Sequence, residues 1–121
     1  MEFNLVKIKE SIADKRLEIN IPKSLTPDLA EFLGIMVGDG HVGIYRDFEK
    51  HRSHYVISLS GNIKDKDYHL NYINDLILRL FNIKFNVDVF PKRNIIILRK
   101  NSRAIYQFLS TVIGIPQRKD N

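Results

Sequence analysis

An apolar segment that ends in an aspartate between two glycines constrains the fold of this chain more than any other feature. Residues 29–37 are mostly apolar, and Gly-Asp-Gly follows at residues 38–40. Thr26 is a suitable N-cap, and Pro27 fits the first helical position. Gly40 fits the left-handed residue that closes a helix. The segment therefore predicts one helix with a carboxylate at its C-terminal end.

Small residues recur every four positions along this predicted helix, at Ala30, Gly34 and Gly38. They share one helix face and form a smooth stripe about 12 Å long, at about 1.5 Å per residue. Glycine inside a helix costs about 1 kcal/mol relative to alanine, and close approach of another backbone offsets that cost. We therefore expect two such helices side by side, with their Asp39 carboxylates close enough to share divalent metal ions. A core helix with a polar C-cap is the alternative.

Length and composition indicate one folded domain with a mild preference for polyanions. The chain has 121 residues and a formal net charge of +5, which favours nucleic acid among the partners of basic proteins. It contains no cysteine, which excludes disulfides, thiolate zinc sites and cysteine nucleophiles. No apolar run reaches the length that spans a membrane. We expect a cytoplasmic protein that has no membrane partner.

The N-terminal segment, residues 1–23, is predicted to be an arm or a hairpin, and residues 24–121 a single domain. Apolar and polar residues alternate over 17–21, which indicates a strand that Pro22 ends. Residues 3–8 would form the second strand of the hairpin.

After the first helix, periodicity predicts two strands, a second helix, two more strands and a last helix. The strands are expected at 41–46, 54–60, 84–90 and 95–100, and the helices at 65–81 and 102–112. Gly61-Asn62 is expected to break the second strand. Short loops join each strand pair into a hairpin, so the sheet should be mainly antiparallel. The predicted fold class is α+β, with an αββαββα core.

Polar and basic side chains collect on the sheet face that is predicted to point away from the helices. Cations at the rim would hold phosphates, and Ser, Asn and His would read base edges. A solvated antiparallel face is the alternative. The residues predicted to contact double-stranded DNA are Tyr45, Arg46, Arg52, His54, Ser58, Lys84, Asn86, Lys92, Arg93, Arg99 and Lys100.

The predicted first helix resembles the motif of the LAGLIDADG homing endonuclease family, over Phe32-Leu33-Gly34-Ile35-Met36-Val37-Gly38-Asp39-Gly40. The glycines and the final Asp-Gly match. Phe32, Leu33 and Val37 differ from the motif, and these differences resemble variation that is common in the family. The approach over residues 22–32 and the segment over residues 60–68 are also typical of family members. The order of helices and strands matches the family core over about residues 24–119.

This resemblance implies a homodimeric enzyme, because only one motif is present. The stripe of Ala30, Gly34 and Gly38 would be the two-fold contact. Asp39 of each subunit would bind Mg²⁺, with the Gly38 carbonyl as a further oxygen ligand. The ions would activate a water and stabilise the leaving 3′ oxygen during phosphodiester hydrolysis. A saddle of two antiparallel sheets, backed by helices, would straddle a roughly palindromic DNA site.

The resemblance also implies a basic residue after the last core helix, near the scissile phosphate. Arg118 and Lys119 are the candidates, and Lys119 is the predicted catalytic cation. His41 lies two residues after Asp39 and could assist, although a histidine on the sheet surface is the simpler interpretation. The same scaffold would suit a catalytically inactive DNA- or RNA-binding protein, such as a regulator or an intron maturase. The retained Asp39 favours cleavage. The resemblance also implies that the gene is associated with an intron or intein.

Overall fold

Four antiparallel strands form one sheet, and the apolar side chains of the helices pack on one face of it. In the computed structural model, which describes residues 2–117, the elements are α1 (Ile12–Arg16), α2 (Pro27–Asp39), β1 (Gly40–Asp47), β2 (Arg52–Asn62), α3 (Asn74–Phe81), β3 (Asn86–Phe90), β4 (Ile95–Asn101) and α4 (Arg103–Gln107). The strand order is β1-β2-β4-β3. The predicted α+β fold with an antiparallel sheet is confirmed, and the αββαββα order runs from α2 to α4.

Helical turns of other types extend the last two helices. The segment Tyr68–Ile73 is π-helical and leads into α3, and a second π-helical segment, Phe108–Ile113, follows α4. Short 3₁₀ turns, Ile63–Asp65 and Pro91–Arg93, connect the strands to their neighbours. In the part of the chain that the structure describes, no helix has both the length and the apolar character needed to cross a membrane.

The core lies between the helices and the inner face of the sheet. The buried stripe of α2 consists of Leu29, Phe32 and Met36. The Phe32 ring meets Phe81 of α3 edge to face, with the ring centres 5.3 Å apart. The strands supply alternate residues to the same core, namely Val42, Ile57, Leu59, Ile96 and Leu98, all at most 1% exposed. Each such side chain contributes about 1.5–3 kcal/mol through burial.

Gly61 makes room for a buried histidine. The prediction that Gly61-Asn62 breaks the second strand is wrong. The strand continues to Asn62. A Cβ at Gly61 would lie 2.2 Å from Cε1 and Nε2 of His69, so the imidazole ring occupies that space. The His69 Nδ1 atom lies 2.9 Å from the Asp65 carbonyl oxygen, which fixes the ring at the start of the helical segment. This glycine therefore allows close approach of helix and strand.

Two polar contacts on the solvent side join α2 to α3 and to the π-helical segment that leads into it. Arg79 Nε donates to Asp28 Oδ2 at 3.1 Å. The Tyr72 hydroxyl donates to Glu31 Oε2 at 2.5 Å, and the Tyr72 ring stacks on Tyr68. The hydrogen bond to Glu31 raises the pKa of Tyr72 above its ordinary value, because it favours the neutral phenol. These contacts fix the relative position of the two helices without burying charge.

The N-terminal segment is helical where the sequence predicted a hairpin. Neither of the predicted strands, residues 3–8 and 17–21, is formed, and α1 lies between them. The reason is a capping box, in which Ser11 Oγ accepts from Asp14 N while Asp14 Oδ2 accepts from Ser11 N. This local pair of hydrogen bonds stabilises a helical turn that the apolar alternation did not reveal.

The Asp14 side chain also ties the N-terminal segment to α4. It is only 1% exposed. Its Oδ1 accepts from the Ser102 hydroxyl at 2.8 Å, and its Oδ2 accepts from Ala104 N at 3.0 Å. Ser102 Oγ in turn accepts from Ile105 N as the N-cap of α4. One carboxylate therefore satisfies donors at the start of two helices.

Replacing Asp14 with alanine is expected to destabilise the protein strongly. The change leaves buried donors unpaired, and each such donor costs about 1–3 kcal/mol. Urea denaturation would measure the loss in the free energy of unfolding, with the exposed Glu10→Ala as a control expected to change it by less than about 0.5 kcal/mol. Equal stability of the two variants would contradict the role assigned to Asp14.

Candidate nucleic-acid interface

The sheet face that points away from the helices, here called the open face, is organised in rows across the strands. Successive side chains of a strand point to opposite faces of the sheet. The buried strand residues and their cross-strand partners therefore lie on the inner face, and the residues that alternate with them along each strand lie on the open face. Cross-strand pairing arranges the open-face residues in five rows. From the β1–β2 turn onwards, the rows are Tyr45–His54, Gly43–Val56–Asn101, His41–Ser58–Arg99–Asn86, Ser60–Ile97–Asp88 and Asn62–Ile95–Phe90. The third row is polar across all four strands.

A shallow groove on the open face brings together four of the residues predicted to contact DNA. It has a volume of about 410 Å³, and its lining residues are Tyr45, His54, Val56, Ser58, Arg99 and Asn101. Hydroxyl, imidazole, amide and guanidinium groups therefore lie side by side in one depression. These groups can donate to and accept from base edges. Asn86 extends the same surface from the edge strand, beside Arg99.

His41 is a half-buried histidine of the open face. Its Nε2 lies 3.1 Å from the Tyr45 hydroxyl, four residues further along β1. Gly43 lies between them, and a Cβ there would come within 3.1 Å of the same Nε2 atom. Glycine at this position therefore leaves room for the contact, which orients the Tyr45 hydroxyl on the face.

Other predicted contact residues lie at the ends or on the reverse of the sheet. Arg46 and Lys100 alternate with open-face residues, so their Cβ atoms lie on the helix side. Lys84 precedes β3 instead of starting it, and its ammonium lies 3.4 Å from Asp75 of α3. The ion pair directs Lys84 to the helix layer, which corrects its predicted place on the open face.

Three further predicted cations lie at the turns between strands. Arg52 begins β2 at the β1–β2 turn, and Lys92 and Arg93 lie in the 3₁₀ turn between β3 and β4. The Arg93 guanidinium lies over the Phe90 ring, 5.9 Å from its centre. These cations lie at opposite ends of the strands, as a rim that holds phosphates requires.

Sequence reasoning included Arg99 of β4 among the predicted contacts but missed the other residues that β4 contributes to the open face. The run Ile95–Asn101 reads as uniformly apolar at its start, so alternation between its two faces was hidden. Ile96 and Leu98 are buried, whereas Ile95, Ile97 and Asn101 point to the open face. The available signal was the pair Arg99 and Lys100 after the apolar run, because adjacent residues of a strand lie on opposite faces.

Asp39 lies at the junction where α2 passes directly into β1. It is exposed, it is the last residue of α2, and Gly40 begins the strand without a loop. Gly40 has an extended backbone, with φ −95° and ψ 165°, so the predicted left-handed closure of the helix is wrong. Glycine is needed at position 40 because a Cβ there would lie 2.6 Å from the Met36 carbonyl oxygen.

Comparison with known proteins finds similarity of fold to solved structures. No family model matches the sequence, and neither does any curated protein sequence. A variant of I-DmoI, in complex with its target DNA nicked in the coding strand and in the presence of 2 mM Mn, matches with a TM-score of 0.53 and 18% identity, over 69% of this chain and 47% of that chain. The I-LtrWI LAGLIDADG homing endonuclease, bound to target DNA, matches with a TM-score of 0.45 and 18% identity, over 69% of this chain and 28% of that chain.

This chain has the fold of the LAGLIDADG homing endonucleases. It spans less than half the length of either matched nuclease. The segment that resembles the LAGLIDADG motif, residues 32–40, lies at the end of α2 and the start of β1, with Asp39 as the last helical residue.

The small-residue stripe of α2 is uncovered by the other residues that the structure describes. Ala30, Gly34 and Gly38 are all exposed. A Cβ at either glycine would meet nothing within 4 Å, apart from the backbone of its own helix and its chain neighbours. Neither glycine is therefore required by packing inside the protomer. The cost of two glycines in one helix has no compensation in the described residues 2–117.

Few possible metal ligands lie at the C-terminal end of α2 in the part of the chain that the structure describes. Among residues 2–117, no three His, Asp or Glu side chains come together in a way that could hold a metal ion. The oxygen donors at this helix end are the Asp39 carboxylate and the Gly38 carbonyl. The predicted cations Arg118 and Lys119 lie outside the described residues.

Replacing Gly40 with alanine is expected to cost about 1–3 kcal/mol of stability, because the added Cβ would overpack against the Met36 backbone. Gly34→Ala is the matched control, and there the added methyl meets open space. In the dilute monomer the control should gain about 0.5–1 kcal/mol, since alanine favours the helix. Urea denaturation of both variants gives the comparison, and shifts of the same sign would contradict it.

Proposed function

We propose that this chain is a site-specific DNA endonuclease of the LAGLIDADG homing type, which hydrolyses phosphodiester bonds with Mg²⁺ as a homodimer. The observation that carries this proposal is the placement of Asp39 at one end of a polar open face, on a helix whose small-residue stripe is uncovered. The fold shared with nucleases that were solved on DNA supports the same conclusion.

The exposed stripe of α2 supports the proposed dimer. Two copies whose helices meet at Ala30, Gly34 and Gly38 can bring their backbones close together, which offsets the cost of the glycines. Such a contact is isologous, so the same patch serves both subunits. It brings the C-terminal ends of the two helices, each with an Asp39, to the two-fold axis. The target would accordingly be roughly palindromic.

The residues at the helix ends fit a hard divalent cation. Two Asp39 carboxylates and two Gly38 carbonyls are oxygen donors, which is the ligand type that Mg²⁺ prefers. When bound there, Mg²⁺ would supply activation of water and charge stabilisation at the leaving oxygen. The negative ends of two helices and two carboxylates repel one another, and the cation compensates that repulsion. The matched I-DmoI structure was determined with Mn present, which agrees with a divalent cation in that protein.

The open face would bind the duplex. Arg52 at one end of the strands and Lys92 and Arg93 at the other are placed to hold phosphates, while the groove residues Ser58 and Arg99 read base edges. Arginine makes bidentate contacts to guanine, and serine hydrogen-bonds to several bases. Each half-site of the target is then read by one sheet.

Asp39→Asn is expected to abolish Mg²⁺-dependent cleavage while dimerisation and DNA binding persist. The change keeps the shape but removes the charge that holds the metal, so the rate should fall at least about a thousandfold. Cleavage is measured on a randomised duplex library, with Asp75→Asn on the helix side as the isosteric control. Equal cleavage by the wild type and Asp39→Asn would place the site elsewhere. No cleavage by the wild type would favour an inactive DNA- or RNA-binding protein.

Gly38→Leu is expected to convert the dimer into a monomer, because leucine side chains on the stripe would hold the helices apart. Overpacking of this kind costs about 1–3 kcal/mol, which raises the dissociation constant by roughly 5- to 150-fold. Sedimentation equilibrium over a concentration series would measure it, with Leu78→Ala on the solvent side of α3 as a control. A wild-type monomer at high micromolar concentration would refute the dimer.

A further inference from the structure

The open face is chemically divided between its two ends. The rows nearer the β1–β2 turn carry the polar residues Tyr45, His54, Ser58 and Arg99. In the two rows at the other end, Ile97 lies between Ser60 and Asp88, and Ile95 lies between Asn62 and Phe90. The apolar residues of these two rows, Phe90, Ile95 and Ile97, are here called the apolar patch.

The apolar patch is not required by the core of the protomer. Core residues of the same strand, Ile96 and Leu98, are fully buried on the opposite face. Ile95 and Ile97 are half-buried, and Phe90 is 37% exposed. An antiparallel sheet with one face in water usually carries polar residues on that face. Three large apolar side chains in adjacent rows therefore form a surface suited to a partner.

The surroundings of the apolar patch favour a polyanion as that partner. The Arg93 guanidinium lies over the Phe90 ring, and Lys92 precedes it in the same turn. Arg99 lies one row beyond Ile97 on the same strand and face. A second copy of this chain would bring its own positive net charge, +5, against these cations. A nucleic-acid duplex brings phosphates to the cations and base edges to the patch.

The apolar feature of base edges is the C5-methyl group of thymine, which projects into the major groove. We propose that Phe90, Ile95 and Ile97 select target sequences by contact with thymine methyl groups. This proposal rests on the DNA-binding function proposed above, and it names a specificity determinant of that function. Asp88, cross-strand from Ile97, lies on the same surface. Its carboxylate can accept a hydrogen bond from an exocyclic amino group, which adds polar discrimination beside the methyl contacts.

Replacement of thymine by uracil tests this proposal, because it removes only the methyl group. Duplexes enriched by the wild-type protein from a randomised library are resynthesised with uracil in place of thymine. Binding of both forms is measured at one salt concentration. The dissociation constant should rise about fourfold for each methyl group that the patch covers. Both measurements use the unmodified protein, so they do not depend on the folding of a variant.

Two variants assign the effect to the apolar patch. The double variant with Ile95→Ser and Ile97→Ser should bind thymine-containing and uracil-containing duplexes with affinities whose ratio is close to one. Val6→Ser, at an apolar residue that is 88% exposed outside the sheet, should leave the ratio unchanged. Arg99→Ala should weaken binding to both duplex forms by the same factor, since its contacts are to groups that both forms share.

The failure of this proposal differs from the failure of the proposed function. Equal wild-type affinity for thymine and uracil duplexes overturns methyl recognition while DNA binding stands. A ratio that the double serine variant leaves unchanged overturns the assignment to the apolar patch. An absence of duplex binding by the wild type overturns both the DNA-binding function and the inference built on it.

Discussion

The direct passage from α2 into β1 is the constraint on which the arrangement of the site depends. Gly40 is at once the C-cap of the helix, donating to the Met36 carbonyl, and the first paired residue of the sheet, opposite Leu59. No loop separates the two elements, so the direction of the helix and the register of β1 fix each other. Asp39 is held between them and has little freedom to move relative to the open face. A carboxylate placed on a flexible loop could not keep such a fixed distance from a duplex lying on the sheet.

The elements with one strong periodicity were predictable from the sequence, and those shaped by tertiary contacts were not. Helix α2 and the two strand hairpins followed from alternation and capping, because their local preferences agree with the fold. Gly61 and Gly40 were misread, since each glycine accommodates a side chain or backbone that is distant in sequence or in an adjacent element. The N-terminal hairpin was wrong because the capping pair of Ser11 and Asp14 outweighs a weak alternation.

The candidate site likewise contains residues that the sequence could place and residues that it could not. Ser58 could be placed on the open face from the sequence, since two-residue alternation is reliable in the middle of a strand. Asp39 could be placed at a helix end from the apolar segment before it and the glycines beside it. Lys84 could not be placed from the sequence, because its ion pair with Asp75 depends on how α3 lies against the strand. The place of Ile97 was hidden for another reason, as buried and open-face residues of β4 are both isoleucine. Sequence pattern separates two faces only when their polarity differs.

The hydrogen bonds of Asp14 also have a consequence for the order in which the chain can fold. They join residues separated by 88 and 90 positions, so α1 is tied down by groups that are synthesised much later than α1 itself. During translation, these hydrogen bonds cannot form until Ser102 and Ala104 have emerged from the ribosome. Contacts of such large sequence separation slow folding, because loop closure precedes the stabilisation it allows. The attachment of α1 to α4 therefore depends on contacts that form later than the local capping of α1 by Ser11 and Asp14.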